Sequence, residues 1–138
     1  MTYKYPMIKI QPVPDKKGVR VLEDYPFEHA GITYKVEKGF VYNGANIPAP
    51  FWPIISSPFH YRIVSGAGVH DKIYGDAWIQ IPRLDADQIM INIILDHGMG
   101  KLKAAAIKKA LKLFGARNYE PRKVLDPKLQ RVIDGLYD

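Results

Sequence analysis

Short runs of apolar residues alternate with polar ones over the first third of the chain, a pattern that is typical of β-strands. The runs that we assign to strands are residues 7–10, 19–22, 27–29, 32–36 and 40–42. Ala30-Gly31 separates the third run from the fourth and indicates a tight hairpin, in which Gly31 takes a positive φ angle. These features predict a small N-terminal antiparallel β-sheet of about four short strands.

A proline-rich loop is expected next, because residues 43–60 show neither strand nor helix periodicity. Proline lacks a backbone donor and fixes φ, which excludes both a long helix and a central strand here. The prolines are Pro48, Pro50, Pro53 and Pro58. Phe51 and Trp52 are the apolar residues that we expect to anchor this loop to the core.

From residue 61 onward the apolar residues recur at intervals of three and four, which is the period of an α-helix. This spacing predicts three to four packed helices, over residues 62–74, 86–97 and 104–114 and, as the fourth, a short helix within residues 124–136. The second helix is expected to follow Asp85 as its N-cap, to end at Gly98 and to be buried on most sides.

The third predicted helix is amphipathic, with an apolar stripe expected to face the core and lysines expected to face solvent. The inward set is Ile107, Ala110, Leu111 and Phe114, and the outward set is Lys101, Lys108 and Lys112. Its amphipathic pattern indicates a helix that covers the core from one side.

Together these elements predict one α+β domain over residues 1–138, with a β-rich part (1–45), the loop (43–60) and a helical part (61–138). A length of 138 residues and an apolar content of 47% are typical of a single globular domain. The chain has no cysteine, which excludes disulfides, thiolate zinc sites and cysteine nucleophiles. No apolar run reaches the length of a transmembrane helix.

The net charge of +6 lies entirely within residues 101–138, which contain ten basic and four acidic residues. A basic region suits an anionic partner, which can be nucleic acid, a lipid surface or an acidic protein face. Lys101, Lys108 and Lys112 are the candidate anion-binding residues. The alternative is a solvated helix face that contributes only to solubility.

One polar cluster in the helical part has the composition of a functional site. His70 and Tyr74 lie one helical turn apart on the same face. Asp87 falls in line with apolar residues of the next helix, where a carboxylate is costly unless it is paired. His70 and Tyr74 are its expected partners if the two helices pack antiparallel, and Arg83 is another candidate.

Such a cluster has a catalytic use and a structural one. A carboxylate on one imidazole nitrogen fixes the tautomer, so that the other nitrogen of His70 can act as a base toward water. Asp71, with backbone carbonyl groups of residues 42–46, could hold a calcium ion that polarises a carbonyl group of the substrate. In the structural alternative, the same residues only hold the loop against the helices.

The order and spacing of these motifs resemble domain of unknown function 1353, a family of tailed phages and prophages. The resemblance covers about residues 36–118. The motifs are Gly39-Phe40, Asn43-Gly44-Ala45-Asn46-Ile47-Pro48, Trp52, Val69-His70-Asp71-x-x-Tyr74, Arg83-x-x-Ala86-Asp87 and Phe114-Gly115. It implies a phage or prophage protein without a settled activity, and Asn43 departs from the aspartate that is usual in the family.

A second resemblance, to secretory and viral capsid phospholipases, rests on a Tyr-x-Gly-x-(Gly/Asn) loop, a His-Asp-x-x-Tyr helix and a later Asp. It implies that His70 is the general base, with Tyr74 and Asp87 supporting it, and that Asp71 is the calcium carboxylate. The calcium loop of these enzymes binds through backbone carbonyl groups, and its counterparts in this chain are Tyr42, Gly44 and Asn46. Ala45-Asn46 replaces the second glycine of that loop.

The function expected first is that of a small bacteriophage structural or accessory protein of the tail or baseplate. Its partners would be other phage structural proteins, and it would occur in the virion or the host cytoplasm. The first alternative is a calcium-assisted hydrolase with the phospholipase-like site. The second is binding of nucleic acid or another anion through the basic C-terminal helices.

Overall fold

The structure, a computed structural model, describes residues 3–14, 18–43, 59–119 and 135. Within these ranges, five strands come first and are followed by four helices. The strands are β1 (Ile10–Val13), β2 (Gly18–Val21), β3 (Tyr25–His29), β4 (Ile32–Val36) and β5 (Val41–Tyr42). The helices are α1 (Val64–Gly75), α2 (Arg83–Asp96), α3 (Lys101–Phe114) and α4 (Ala116–Tyr119). The predicted α+β class is therefore confirmed.

The strands form two antiparallel sheets rather than the one that was predicted. The first sheet has the order β1-β2-β5, and the second is the β3-β4 hairpin. The hairpin turn is the expected one, because Ala30 and Gly31 have φ angles of 51° and 80° and connect His29 to its register partner Ile32. Two consecutive positive φ angles match the twist of the paired strands.

The first strand was predicted three residues too early. Ile8 lies before β1, and its backbone N–H donates to the buried hydroxyl of Ser65 at 2.9 Å. This donor is therefore bound to α1 instead of to a neighbouring strand. Pairing in β1 begins at Ile10, which lies opposite Val21.

The start of α2 also differs from the prediction. The helix begins at Arg83, after Pro82, whose φ of −55° suits the entry to a helix. Asp85 is therefore a residue of the first turn and not the N-cap. Its carboxylate lies 3.0 Å from Nε2 of His29 on the hairpin.

The end of α2 is as predicted, since Gly98 takes a φ of 98° just beyond it. Gly98 N–H donates to the carbonyl of Leu95 at 3.1 Å, and Met99 N–H donates to that of Ile94 at 2.9 Å. These two bonds form a Schellman motif, which satisfies the last carbonyl groups of the helix.

Helices α1 and α2 pack antiparallel and form the centre of the core. A Cβ atom built on Gly66 would lie 2.8 Å from Ile94 and 3.0 Å from the carbonyl oxygen of Met90, while His70, one turn later, contacts the earlier residue Asp87. The glycine therefore allows the two helix backbones to approach closely. The buried side chains at this centre include Ile63, Val69, Ile73, Met90, Ile93 and Ile94.

Helix α3 covers α2 with the face that was predicted, except at its C-terminal end. Ile107, Ala110 and Leu111 are buried. Phe114, which was also expected to face the core, is instead 47% exposed. Phe114 is the last residue of α3, directly before Gly115. Of the predicted loop over 43–60, the structure describes only residues 43, 59 and 60, and of the predicted helix over 124–136 it describes only residue 135; the rest of both lies outside the described residues.

The N-terminal segment is held by the C-terminal end of α2. The carboxylate of Asp96 accepts hydrogen bonds from the backbone N–H groups of Lys4 (3.1 Å) and Tyr5 (2.9 Å). The buried ring of His97 donates through Nε2 to the carbonyl of Tyr5 at 2.8 Å. Three hydrogen bonds thus attach a segment without secondary structure to the helical layer.

None of the helices in the described parts of the chain is long and apolar enough to cross a membrane.

We expect Gly66→Ala to lower the free energy of unfolding by about 1–3 kcal/mol, because the added methyl group overpacks the interface between α1 and α2. Chemical denaturation monitored by circular dichroism measures this change. Gly100→Ala is the matched control, since nothing lies within 4 Å of its added Cβ. Equal stability of the two variants would contradict the close approach at Gly66.

Candidate functional site

The centre of the candidate site is a hydrogen-bonded group of three side chains between α1 and α2. His70 Nε2 lies 2.7 Å from Oδ1 of Asp87. The hydroxyl of Tyr74 donates to the same oxygen at 2.5 Å. The side chains of His70 and Asp87 are only 1% and 2% exposed, respectively. The three residues that the sequence singled out therefore meet in the core.

The helix geometry explains how they meet. His70 and Tyr74 occupy successive turns of α1, and their rings lie 4.0 Å apart between centroids. Asp87 lies in the second turn of α2, at the end that faces the C-terminal half of α1. The antiparallel packing places the carboxylate within hydrogen-bonding distance of both side chains, as the sequence predicted.

The tautomer of His70 follows from these contacts. A carboxylate oxygen accepts hydrogen bonds, so Nε2 of the ring donates its hydrogen to Asp87. In the neutral ring, the lone pair is then on Nδ1. Nδ1 is buried and has no hydrogen-bond partner among the described residues. The ring is therefore held through one nitrogen, and the other nitrogen carries the lone pair and lies buried.

Only one of the two carboxylate oxygens of Asp87 accepts hydrogen bonds from the described residues. Oδ1 accepts both hydrogen bonds, and the buried Oδ2 accepts none within the part of the chain that the structure describes. An unpaired carboxylate oxygen in the core is costly. Such groups are found where a polar network has a function or where a water molecule completes it.

A second layer of residues encloses Tyr74. A Cβ atom built on Gly115 would lie 2.9 Å from the Tyr74 hydroxyl, so this position accepts no side chain without displacement. The Tyr119 ring meets the Tyr74 ring edge-on at 5.2 Å. The sequence reasoning did not assign Gly115 and Tyr119 to the site. The Phe114-Gly115 pair was the available signal, but it became informative only once the packing of α3 was known.

Arg83 is close to the cluster, although it does not pair with Asp87 as one of the sequence interpretations suggested. Its Nη1 donates to the carbonyl oxygens of Leu111 (3.1 Å) and Lys112 (3.2 Å). The guanidinium group therefore caps the C-terminal end of α3, where the helix dipole favours a cation. It is also near enough to Tyr74 to affect the ionisation of its hydroxyl.

Burial raises the pKa of Tyr74 above its ordinary value of 10.0, and the hydrogen bond to Asp87 raises it further. The nearby charge of Arg83 acts in the opposite direction but does not reverse the shift. Tyr74 is fully enclosed, and it therefore stays protonated as the donor to Asp87 over the whole physiological range of pH.

The structure also brings Tyr42 close to the helix that carries Asp71. Its hydroxyl donates to the carbonyl of Val64 at 2.8 Å, and a Cβ atom on Gly68 would lie 3.0 Å from its ring. Burial raises the pKa of Tyr42, and the negative charge of Asp71 raises it further. Strand β5 is thus packed against α1 beside the predicted calcium carboxylate.

The other predicted calcium ligands, Gly44 and Asn46, lie outside the described residues. Within the described ranges, no group of three or more His, Cys, Asp or Glu side chains is arranged to hold a metal ion. Asp71 is 9% exposed, and its negative charge acts on the hydroxyl of Tyr42 in β5. Carboxylate and backbone carbonyl oxygens are the donors that calcium prefers.

The candidate anion-binding residues Lys101, Lys108 and Lys112 all lie on α3 and are exposed. Lys108 donates to the side chain of Gln88 at 2.6 Å, which attaches it to α2. These residues do not contact the buried cluster. They form a separate surface feature.

Comparison with known protein families gives one match. The family model described as "Protein of unknown function (DUF1353)" matches residues 19–110, which is two thirds of the chain. The chain belongs to this family. The predicted resemblance to domain of unknown function 1353 is therefore confirmed.

The matched region runs from β2 into α3 and includes His70, Asp71, Tyr74 and Asp87. It begins earlier than the resemblance suggested and ends before Gly115. Neither a search of curated proteins nor a search of solved structures gave a significant match. The family supplies no activity, so the interpretation of the cluster depends on its geometry.

We expect Tyr74→Phe to lower the free energy of unfolding at neutral pH by about 1.5–3 kcal/mol, because Asp87 loses a donor in the core. This difference should shrink in alkali. Folding raises the pKa of Tyr74 above 10.0, so the contribution of its hydroxyl is complete below pH 10 and decreases as pH rises further. The decrease is at most about 1.4 kcal/mol per pH unit.

Urea denaturation of both proteins between neutral pH and the alkaline range measures this effect. The same Phe variant at neutral pH provides the baseline. A difference between the two proteins that stays constant above pH 10 would show that the hydroxyl ionises equally in both states.

Proposed function

We propose that the chain is a hydrolase of esters, in which His70 activates a water molecule. The observation that carries the proposal is the pairing of His70 Nε2 with Asp87, which leaves a buried Nδ1 without a partner among the described residues. His97 also has a buried Nδ1 without a hydrogen-bond partner among the described residues, but its Nε2 bonds to a backbone carbonyl, so the carboxylate partner is what distinguishes His70. The geometry of this one is that of an oriented general base.

Each residue of the cluster has a role in this proposal. Nδ1 of His70 accepts a proton from water, whose oxygen attacks the ester carbonyl, and the ring later returns the proton to the leaving alcohol. Asp87 holds the tautomer and stabilises the positive ring that forms. Tyr74 donates to Asp87 and keeps its carboxylate in place.

The acyl oxygen requires stabilisation as negative charge develops on it. Asp71 would hold a calcium ion together with backbone carbonyl groups of Tyr42 and of the sequence-predicted ligands Gly44 and Asn46. In support, the hydroxyl of Tyr42 lies near enough to Asp71 for the negative charge of Asp71 to raise the pKa of Tyr42. When bound, the cation would supply the positive charge that polarises the ester carbonyl.

We expect the full chain to release fatty acid from phospholipid vesicles in the presence of calcium, and His70→Asn to lower kcat by about 10²–10⁴. Asp87→Asn should lower kcat through loss of orientation, with little change in KM. His97→Gln is the matched control, because His97 is also buried with an unpaired Nδ1 but contacts Tyr5 instead of Asp87.

Calcium titration by calorimetry separates the metal from the chemistry. Binding heat should be present for the wild type and absent for Asp71→Ala. Lack of heat in both proteins, together with lack of turnover on vesicles and on soluble esters, would show that the hydrolase assignment is wrong.

A structural or accessory role in a phage particle is the second proposal. It is favoured by the enclosure of His70 and Asp87, which are each 1% exposed and link α1 to α2. A fully enclosed network of this kind also specifies how two helices pack. In this role the protein would be a tail or baseplate component that contacts other phage structural proteins.

We expect this second role to place the chain in purified virions at a fixed copy number, which quantitative mass spectrometry of particles measures. His70→Asn should then reduce stability and incorporation together, while vesicles remain intact. Absence from the particle, with the chain recovered in the host cytoplasm, would exclude a virion component.

A further inference from the structure

Helix α3 has a second face that the core does not use. Ala104, Ile107 and Leu111 face α2 and are buried. At 100° per residue, Leu102, Lys109 and Leu113 lie together on the opposite side of the helix. Leu102 is 88% exposed and Leu113 is 62% exposed. We call the surface formed by Leu102, Ala105, Ala106, Lys109 and Leu113 the outer face of α3.

The charge of this helix has a single sign. Its fourteen residues contain no Asp or Glu. They contain five lysines, namely Lys101, Lys103, Lys108, Lys109 and Lys112. Among the described residues, no acidic side chain forms an ion pair with any of these lysines, and Lys108 bonds to the neutral Gln88. The outer face is therefore cationic and lacks local neutralisation.

The combination of leucine and lysine discriminates between the anionic partners. Nucleic acid would use the lysines on its phosphates, but it offers little for two exposed leucines that lie between them. An anionic lipid surface interacts with both kinds of side chain, since leucine inserts among the acyl chains and lysine is attracted to the headgroup phosphates. We propose that the outer face of α3 binds to a membrane surface that contains anionic lipids.

The dimensions of the helix suit this arrangement. Leu102 and Leu113 are eleven residues apart, so they lie roughly 16 Å from each other along the axis. A helix parallel to the membrane plane would insert both leucines below the headgroups at the same depth. Lys101, Lys108 and Lys112 lie on one flank of this face, where flexible side chains can reach the phosphates while their stems follow the apolar boundary.

The proposal is independent of the hydrolase assignment. The outer face of α3 and the His70–Asp87 pair lie on different helices, and the lysines make no contact with the pair. If the chain binds vesicles but does not hydrolyse esters, the membrane-binding proposal stands and the hydrolase proposal is wrong. If it hydrolyses soluble esters but does not bind vesicles, the hydrolase proposal stands and the membrane-binding proposal is wrong.

Co-sedimentation of the full chain with vesicles tests the proposal. We expect binding to phosphatidylcholine vesicles that contain phosphatidylglycerol, weak binding to phosphatidylcholine alone, and loss of binding as salt is added. Leu102→Gln with Leu113→Gln should weaken binding at least about tenfold, because glutamine supports the helix but removes the apolar insertion. Lys109→Gln and Lys112→Gln should each weaken it about fivefold.

Two control variants remove an exposed apolar side chain and an exposed lysine at positions away from α3. Ile32→Gln changes an apolar side chain of similar exposure (55%) on the β3-β4 hairpin, and Lys9→Gln removes an exposed lysine before β1. Both should bind vesicles as the wild type does. Circular dichroism of all variants checks that the helices are retained.

Three results would overturn the proposal. The first is vesicle binding that the leucine substitutions leave unchanged. The second is absence of vesicle binding together with salt-dependent binding of DNA, which would assign the lysines to nucleic acid. The third is absence of vesicle binding with a wild-type dimer that the leucine substitutions convert to a monomer, which would assign the face to a second copy of the chain.

Discussion

The carboxylate of Asp87 is the group around which the helical layer is arranged. It is enclosed between α1 and α2, and its Oδ1 accepts hydrogen bonds from both His70 and Tyr74. A buried charge of this kind is tolerated only when donors reach it with good geometry. The donors reach it because glycine at position 66 lets the helix backbones approach, and because Gly115 leaves space beside the Tyr74 hydroxyl. Packing and the polar cluster therefore depend on each other.

The same constraint connects the cluster to distant elements. Arg83 is the first residue of α2, and its side chain caps the C-terminal end of α3. Helix α4 follows α3 and places the Tyr119 ring against the Tyr74 ring. On the other side of α1, Tyr42 brings β5 against Gly68 and near Asp71. The helix pair that carries the site thus has contacts with the first sheet and with α3 and α4. This accounts for its position at the centre of the packing in the described part of the chain.

Much of this arrangement could be predicted from local patterns. The hairpin at Ala30-Gly31 and the end of α2 at Gly98 follow from backbone preferences that only a few residues satisfy. The meeting of His70 with Asp87 could be predicted because a carboxylate in an apolar stripe requires a partner, and the helical period left few candidates.

The errors have a common origin in long-range contacts. Residues 7–9 alternate like a strand, but Ile8 donates to Ser65, which is 57 positions away. Arg83 was a reasonable partner for Asp87 from the sequence, but its guanidinium group donates to carbonyl groups at the C-terminal end of α3 instead. The separation of the strands into two sheets depends on how each packs against the helices, which the alternation of residues does not encode.

The attachment of residues 4–5 to Asp96 and His97 has a consequence for how the chain folds. The bonded residues are more than ninety positions apart, with separations of 91 and 92. Closing a loop of that length costs roughly 4 kcal/mol of chain entropy, which is comparable to the net contribution of three hydrogen bonds, two of them to a carboxylate. Since these bonds require Asp96 and His97 to be in place, we expect the N-terminal segment to dock after the helical layer has formed and to detach before it when the fold opens locally.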